Sequence, residues 1–455
     1  MWLVRILVTV VLALGGLMVI ESCKSSSDPA SVSESKVVTA TPTFNADVGP
    51  LLQAKCMKCH ADGAVKADMQ FNTFASAQKW ASLIVSAVNA HQMPPWPMAS
   101  GNSVYAPGAN MPDFQNAREL TAAEINLINR WVKEGQPEGP GGLMTFKAPP
   151  SNTLTGSSVK RLTMPQSFTP KPEPGLLDQY RCFILNPISA TSDAWVTAYQ
   201  LDPDSFQELH HAIVFIPSSP TDLQTARALE TTPGQGYDCW TGPGANVNAE
   251  ILALWAPGTG VNRFPDNTAI KVPAGIGLIL QIHYSTRSGA TPDQTSILLD
   301  SQPSQGSLTQ AHFFPAGVGV PQLTIPLNQK DAQFPLTKPV QDIFGVQSVA
   351  VYGVYPHEHR LGTRVHAEYQ IGGQGKLLPM FDDYPWDFNW QDGYSFAKPL
   401  KFSGKDTITV TCHYDTTLDG AGNDITGTHR TAPVNFGDFT TDEMCFAFIF
   451  GVIQQ

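Results

Sequence analysis

The chain has 455 residues, with 28 Lys+Arg against 39 Asp+Glu, a formal charge of -11 and no basic block, which argues against a nucleic-acid partner. That length exceeds one ordinary hydrophobic core and points to about three domains. The 37 Gly and 37 Pro favour turn-rich β structure.

At the N-terminus, Arg5 precedes an apolar run from Ile6 to Ile20, followed by Glu21-Ser22-Cys23. So short a run beside the N-terminus reads as an export signal over residues 1–22, not a stable membrane span. It resembles a bacterial lipoprotein signal with Cys23 as the lipid-bearing residue, although Glu21 stands where such signals prefer a small side chain; a plainly cleaved or uncleaved signal is the alternative. Residues 23–43 then form a flexible Ser/Thr-rich tether. The expected location is periplasmic or cell-surface, with the lipid as the membrane contact. In such an oxidising compartment disulfides persist. With Cys23 set aside and Cys56 and Cys59 paired in a motif, Cys182, Cys239, Cys412 and Cys445 remain for two bridges, and sequence alone allows three pairings.

Cys56-Met57-Lys58-Cys59-His60 is a Cys-x-x-Cys-His attachment site for c-type haem, with Cys56 and Cys59 forming the thioethers and His60 the proximal iron ligand. Zinc would need a second ligand pair nearby, and a redox Cys-x-x-Cys would need a βαβ setting. Met93 in His91-Gln92-Met93-Pro94 is the chosen distal ligand, in a setting that resembles small cytochromes c; Met98, His91 and Met111 are rivals. A thioether would raise the haem potential relative to a second imidazole. Thr121 and Glu124 form a capping box, Ile125, Ile128 and Trp131-Val132 an apolar face, and Gly135 a stop, which predicts a helix resembling the last one of a cytochrome c domain. Residues 44–139 are thus a small all-α haem domain and residues 140–161 a Gly/Pro/Ser-rich linker.

Beyond the linker, short apolar or alternating runs between turn residues predict strands at Arg181 to Leu185, Ala194 to Gln200, His211 to Ile216, Gly277 to His283, Ser348 to Tyr355, Val365 to Ile371, Thr407 to Cys412 and Cys445 to Val452. Asp222 to Leu229 is a short helical exception. In an extended strand alternate side chains share a face, so His357 and His359 lie roughly 7 Å apart on one side, within reach of a chelated metal. His210 and His211 face opposite sides of a regular strand and reach one ion only at a bulge or strand end.

In order along the chain, His210-His211-x-x-x-Phe215, Gln281-Ile282-His283-Tyr284, Pro356-His357-x-His359-x-x-Gly362 and Asp442-Glu443-Met444-Cys445 occur together with Trp255-Ala256-Pro257-Gly258, Phe264-Pro265 and Thr411-Cys412-His413-Tyr414. This series is similar to the copper type II monooxygenase family of dopamine β-hydroxylase and peptidylglycine α-hydroxylating monooxygenase, over roughly Leu162 to Gly451. The resemblance implies two tandem all-β jelly-roll sandwiches, residues 162–315 and 316–455, each with one copper in its own pocket. His210, His211 and His283 would hold the electron-transfer copper; His357, His359 and Met444 would hold the catalytic copper that meets O2. A thioether favours Cu(I), whereas three imidazoles suit an electron store. Bridges Cys182–Cys239 and Cys412–Cys445 fit this frame, the second pinning the Met444 strand. The implied activity is hydroxylation of a C–H bond of a small organic substrate with O2. Relatives use ascorbate; the fused haem offers another electron source, fed by a redox protein partner. Tyr355 and Phe448 stand where the peptide-amidating branch has Arg and Tyr, which disfavours a carboxylate-bearing peptide. The rival function is a surface-anchored haem and copper electron-transfer lipoprotein without oxygenase turnover.

Overall fold

A computed structural model describes residues 40–61, 68–101, 103, 108, 110–115, 117–142, 144–147, 153–205, 207–240, 242–257, 259–318 and 322–454. The export signal, Cys23 and nearly all of the tether lie outside these residues. Among the described residues no helix is long and apolar enough to cross a membrane.

After a π-helical turn at Phe44–Val48 come three α-helices: α1 (Gly49–Lys55), α2 (Phe74–Asn89) and α3 (Ala122–Lys133). Both longer ones start at capping boxes, Thr73 with Ser76 and Thr121 with Glu124, where side chains satisfy amides that the first turn leaves unpaired. Phe44, Leu52, Met57, Ala81, Ile84 and Trp131 fill a common core between them.

The expected all-α haem domain over residues 44–139 does not stand as a separate body, because the stretch between α2 and α3 leaves that core. Trp96, Met98 and Phe114 bury their side chains in the core of the C-terminal sheets instead. Backbone bonds fix them there: Ala99 N–H donates to Asp382 O at 2.8 Å, Gln115 N–H to Ser395 O at 2.7 Å, and Asp113 O accepts from Ala397 N–H at 2.7 Å. Apolar Trp-Pro-Met and Met-Pro-Asp-Phe runs thus complete a neighbouring core. This burial also removes Met98 from the candidate iron ligands.

The first β region holds β1 (Val159–Thr163), β2 (Asp178–Pro187), β3 (Ala194–Asp202), β4 (Leu209–Pro217), β5 (Tyr237–Asp238), β6 (Ala249–Trp255), β7 (Asn262–Arg263), β8 (Thr268–Val272), β9 (Gly277–Ser285) and β10 (Ser296–Gln302), with α4 (Pro220–Leu229) after β4. The second holds β11 (Thr309–Val318), β12 (Thr324–Ile325), β13 (Ala332–Pro339), β14 (Ser348–Glu358), β15 (Gly362–Gln370), β16 (Leu378–Asp383), β17 (Tyr394–Ser403), β18 (Thr407–Tyr414), β19 (Val434–Asn435) and β20 (Cys445–Ile453). All eight expected strands and the short helix are present. A five-stranded sheet β5-β2-β9-β4-β6 faces β1-β10-β3-β8, and a four-stranded sheet β13-β18-β15-β16 faces β11-β20-β14-β17. The two sandwiches are joined through one nine-stranded sheet, because β8 pairs with β11 in parallel at Thr309↔Thr268 and Gln310↔Ala269. β11 thus bridges the two, starting beside β8 and pairing with β20 from Ala311 to Val318 across the expected division at residue 315.

Both expected disulfides form, Cys182–Cys239 and Cys412–Cys445. The second ties β18 to β20 one residue after Met444.

Candidate metal centre

β4 and β9 are adjacent central strands, and their register is Leu209↔Tyr284 followed by His211↔His283. The skipped residue is His210, so a β-bulge stands at the position where two neighbouring histidines need one to face the same side. His210 Nδ1 lies 3.2 Å from His211 Nδ1, and the ligand atoms of His210, His211 and His283 all lie within 4.8 Å of one another. His283 is buried on β9; its Nε2 meets Asp178 Oδ1 at 3.2 Å, and Tyr180 stacks on its ring at 4.2 Å. With Nε2–H donated to the carboxylate, the lone pair is on Nδ1, which is buried and has no hydrogen-bond partner.

His357 is near the end of β14 and His359 just past it, with ring centroids 5.2 Å apart. His357 Nδ1–H donates to Gln391 Oε1 at 2.7 Å, and His359 Nδ1–H to Asp442 O at 3.1 Å. These bonds put both lone pairs on Nε2, and His359 Nε2 is buried without a partner. β14 and β20 pair as His357↔Phe446 and Glu358↔Cys445, so the next step of the register sets Met444 opposite His359. The loop carrying Met444 is held tightly: Glu443 accepts from the amides of His359 at 2.9 Å and Leu361 at 2.6 Å, and Tyr414 donates its hydroxyl to Met444 O at 2.6 Å.

The two sets do not occupy separate pockets. The His211 and His357 rings are 5.5 Å apart, so the imidazoles of both sandwiches form one continuous cluster. Asp178 helps to close it: from β2 it holds His283, and its other oxygen accepts from Thr440 N at 3.2 Å and Thr440 Oγ1 at 2.8 Å, four residues before Met444. Burial opposes charge on Asp178, yet the bonds from His283 and Thr440 outweigh it and hold the carboxyl down to about 2. Burial, reinforced by neighbouring imidazoles, lowers His210, His211 and His359 well below the ordinary value; burial also lowers His283 and brings His357 to about 4. At neutral pH these rings are uncharged, the state in which imidazole binds a metal. Buried ring nitrogens left without a hydrogen-bond partner, His283 Nδ1 and His359 Nε2, within such a cluster of uncharged imidazoles fit metal ions and fit little else.

Beside the cluster lies a cavity of about 300 Å³. His211, His357 and Met444 form part of its wall, and Tyr355, Trp255 and Phe448 contribute much of the apolar remainder. Tyr355 accepts on its hydroxyl from Asn262 Nδ2 at 3.0 Å.

In the helical region, Cys56 and Cys59 are free thiols, half-buried and not bridged. His60 stacks on Phe71 at 4.5 Å, and its Nδ1–H donates to Met69 O at 3.0 Å. Met93, beyond the end of α2, is 40% exposed.

Sequence reasoning missed three contributors. Asp178 and Gln391 position imidazoles, and Phe388 stacks on His210 at 4.4 Å. Gln391 and Phe388 lie in Trp386-Asp387-Phe388-Asn389-Trp390-Gln391, whose density of aromatic residues in a turn-rich stretch is a visible signal; Asp178 carries none.

The fold and the site describe a double β-sandwich in which imidazoles and a thioether are held ready for soft metal ions beside an apolar cavity. Residues 316–451 match the family described as copper type II ascorbate-dependent monooxygenase, C-terminal domain. Enzymes of that family are oxidoreductases that incorporate one O atom from O2 and depend on copper and ascorbate, and the match covers the second sandwich of this chain. No curated protein matches the chain.

Proposed function

We propose that the chain hydroxylates a C–H bond of a small, uncharged and largely apolar organic substrate, using two copper ions and electrons supplied through a c-type haem. The carrying observation is the cavity bounded by His211, His357 and Met444, which brings both ligand sets to one substrate-sized space. His210, His211 and His283 would hold one copper, through Nδ1 in the case of His283; His357 and His359, through Nε2, with Met444 would hold the other. Bound there, copper supplies O2 activation and single-electron transfer. The protein's part is positional. Asp178, Gln391 and Asp442 O fix the tautomers, Glu443 and the Cys412–Cys445 bridge fix the Met444 loop, and the aromatic wall excludes water around the reacting C–H bond.

Tyr355 and Phe448 on that wall offer no cation to a substrate carboxylate, which favours neutral compounds over peptides ending in a carboxylate. Cys56, Cys59 and His60 would hold the haem with Met93 as distal ligand, fed by an external one-electron redox protein. Cys23 would tether the chain to a membrane surface after export. The test is substrate-stimulated O2 uptake by copper-loaded full-length protein across uncharged aromatic and aliphatic compounds, with the hydroxylated product identified by mass spectrometry. Two coppers per chain with no uptake for any compound would leave a surface-anchored electron carrier.

A further inference from the structure

The loop between β16 and β17 touches histidines of both ligand sets. Trp386 Nε1–H donates to His359 O at 3.1 Å, Phe388 stacks on His210, and Gln391 accepts from His357 Nδ1. Its far end faces the Cys-x-x-Cys-His segment. Asp392 Oδ2 pairs with Arg118 at 2.6 Å, with the Asp392 side chain only 6% accessible, and the Arg118 guanidinium lies 4.8 Å over the Trp390 ring. Asp392 Oδ1 accepts from Thr259 Oγ1 at 3.3 Å. Next to Thr259, Gly260 lies against the Lys58 side chain, whose Nζ would stand 3.0 Å from a β-carbon there. Lys58 and Cys59 both feel the charges of Arg118 and Asp392.

Lys58 of the haem-attachment segment therefore lies against Gly260 of the β region, next to Thr259, whose hydroxyl bonds the Asp392 side chain one residue from the glutamine that grips His357. A donor that merely met the copper region by diffusion on a tether would need no ion pair on a buried carboxylate at this point. We infer that the loop from Trp386 to Asp392 is the electrical junction of the molecule: Arg118–Asp392 fixes the stretch before α3, whose Glu119 carbonyl accepts from Lys55 Nζ at 3.3 Å next to the haem-bearing segment, and the path Asp392–Gln391 delivers each electron to the His357 imidazole.

This inference rests on the haem and copper reading above and deepens it in one respect. Electrons enter at the His357, His359 and Met444 set directly, and need not pass first through the three-histidine set. Each transfer oxidises one ferrous haem to ferric and reduces one Cu(II) to Cu(I), with no proton moved; the external redox protein returns the haem to ferrous.

The experiment uses full-length protein loaded with haem and Cu(II). A flavin photodonor reduces the haem in a flash, and the loss of the ferrous haem band reports transfer to copper. Wild-type protein should reoxidise only when copper is present. Arg118→Gln should slow that step about a hundredfold, the lower end of what holding two sites together gives over loose encounter. Asp392→Asn, which keeps the side-chain volume, should slow it in the same direction. The Cu(II) electron paramagnetic resonance signal and ascorbate-driven O2 uptake should match wild type in both, which shows that the copper sites are folded. Reoxidation at the wild-type rate in both variants overturns the junction. A wild-type protein without bound haem, or with haem that never reoxidises through copper, overturns the electron-supply reading instead.

Discussion

Gln391→Leu isolates one hydrogen bond that decides how His357 presents itself. Leucine keeps the approximate volume but removes the Oε1 acceptor that His357 Nδ1–H meets at 2.7 Å. The ring then has a buried donor without a partner, a loss of about 1–3 kcal/mol, which corresponds to roughly a 5- to 150-fold change in an equilibrium constant. Losses of this kind around metal-bound histidines run at about 10–100-fold in metal affinity, so two independent arguments give the same range. The assay is a Cu(I) titration against a chromogenic chelator, in which wild-type protein takes up two ions and Gln391→Leu should keep one step unchanged and weaken the other. Met444→Leu identifies the step, since both substitutions act on the same set of ligands. If Gln391→Leu leaves both steps unchanged, or weakens the step that His283→Ala also weakens, the assignment of Gln391 to the His357 site is wrong.

Met444→Leu removes the thioether while the apolar wall stays nearly the same volume, and should abolish substrate-dependent O2 uptake while the three-histidine copper remains, as counted by metal analysis. Burial lowers His357 to about 4, so protons leave its Nε2 lone pair free above that pH; copper uptake at this site should persist as pH falls through 6.5 and fail only near 4, and a midpoint at 6.5 in a pH-dependent binding series would refute the argument. Replacing Cys412 and Cys445 by serine opens a loop of 33 residues, worth about 3.7 kcal/mol by chain entropy, against about 4.2 kcal/mol for the 57-residue loop of Cys182 and Cys239. Urea unfolding should show comparable losses for the two pairs, but only the first should also weaken copper at the Met444 step, because Cys445 adjoins it.

The readable parts of the sequence were those whose chemistry depends on local spacing. A histidine pair at strand period needs only two residues, so His357 and His359 announced themselves, and His210-His211 called for a bulge or a strand end, of which β4 contains the bulge. The capping boxes and the strand runs were legible for the same reason. What stayed hidden depends on contacts between distant segments. Met98 in a Met-rich run looks like an iron ligand until Trp96 and Phe114 on either side are seen completing the second sandwich. The division of the ligands into two domains suggested two pockets, because nothing local says how two sandwiches lean on each other.

Their closeness has a cause in the same hidden class. Asp178 belongs to the first sandwich by sequence, but it is divided between His283 on one side and Thr440 on the other. A carboxylate buried this deeply is stable only when both oxygens are satisfied, so loss of the Thr440 contacts would leave half of it stranded. The cluster is therefore held closed by the solvation demand of one charge. Asp178→Asn tests this directly: it keeps the shape, removes the charge, and should loosen both the His283 tautomer and the Met444 loop together, whereas Thr440→Val should disturb the loop alone. If copper uptake at the two sets responds independently to Asp178→Asn, with one set unaffected, the sandwiches are held together by something other than this carboxylate.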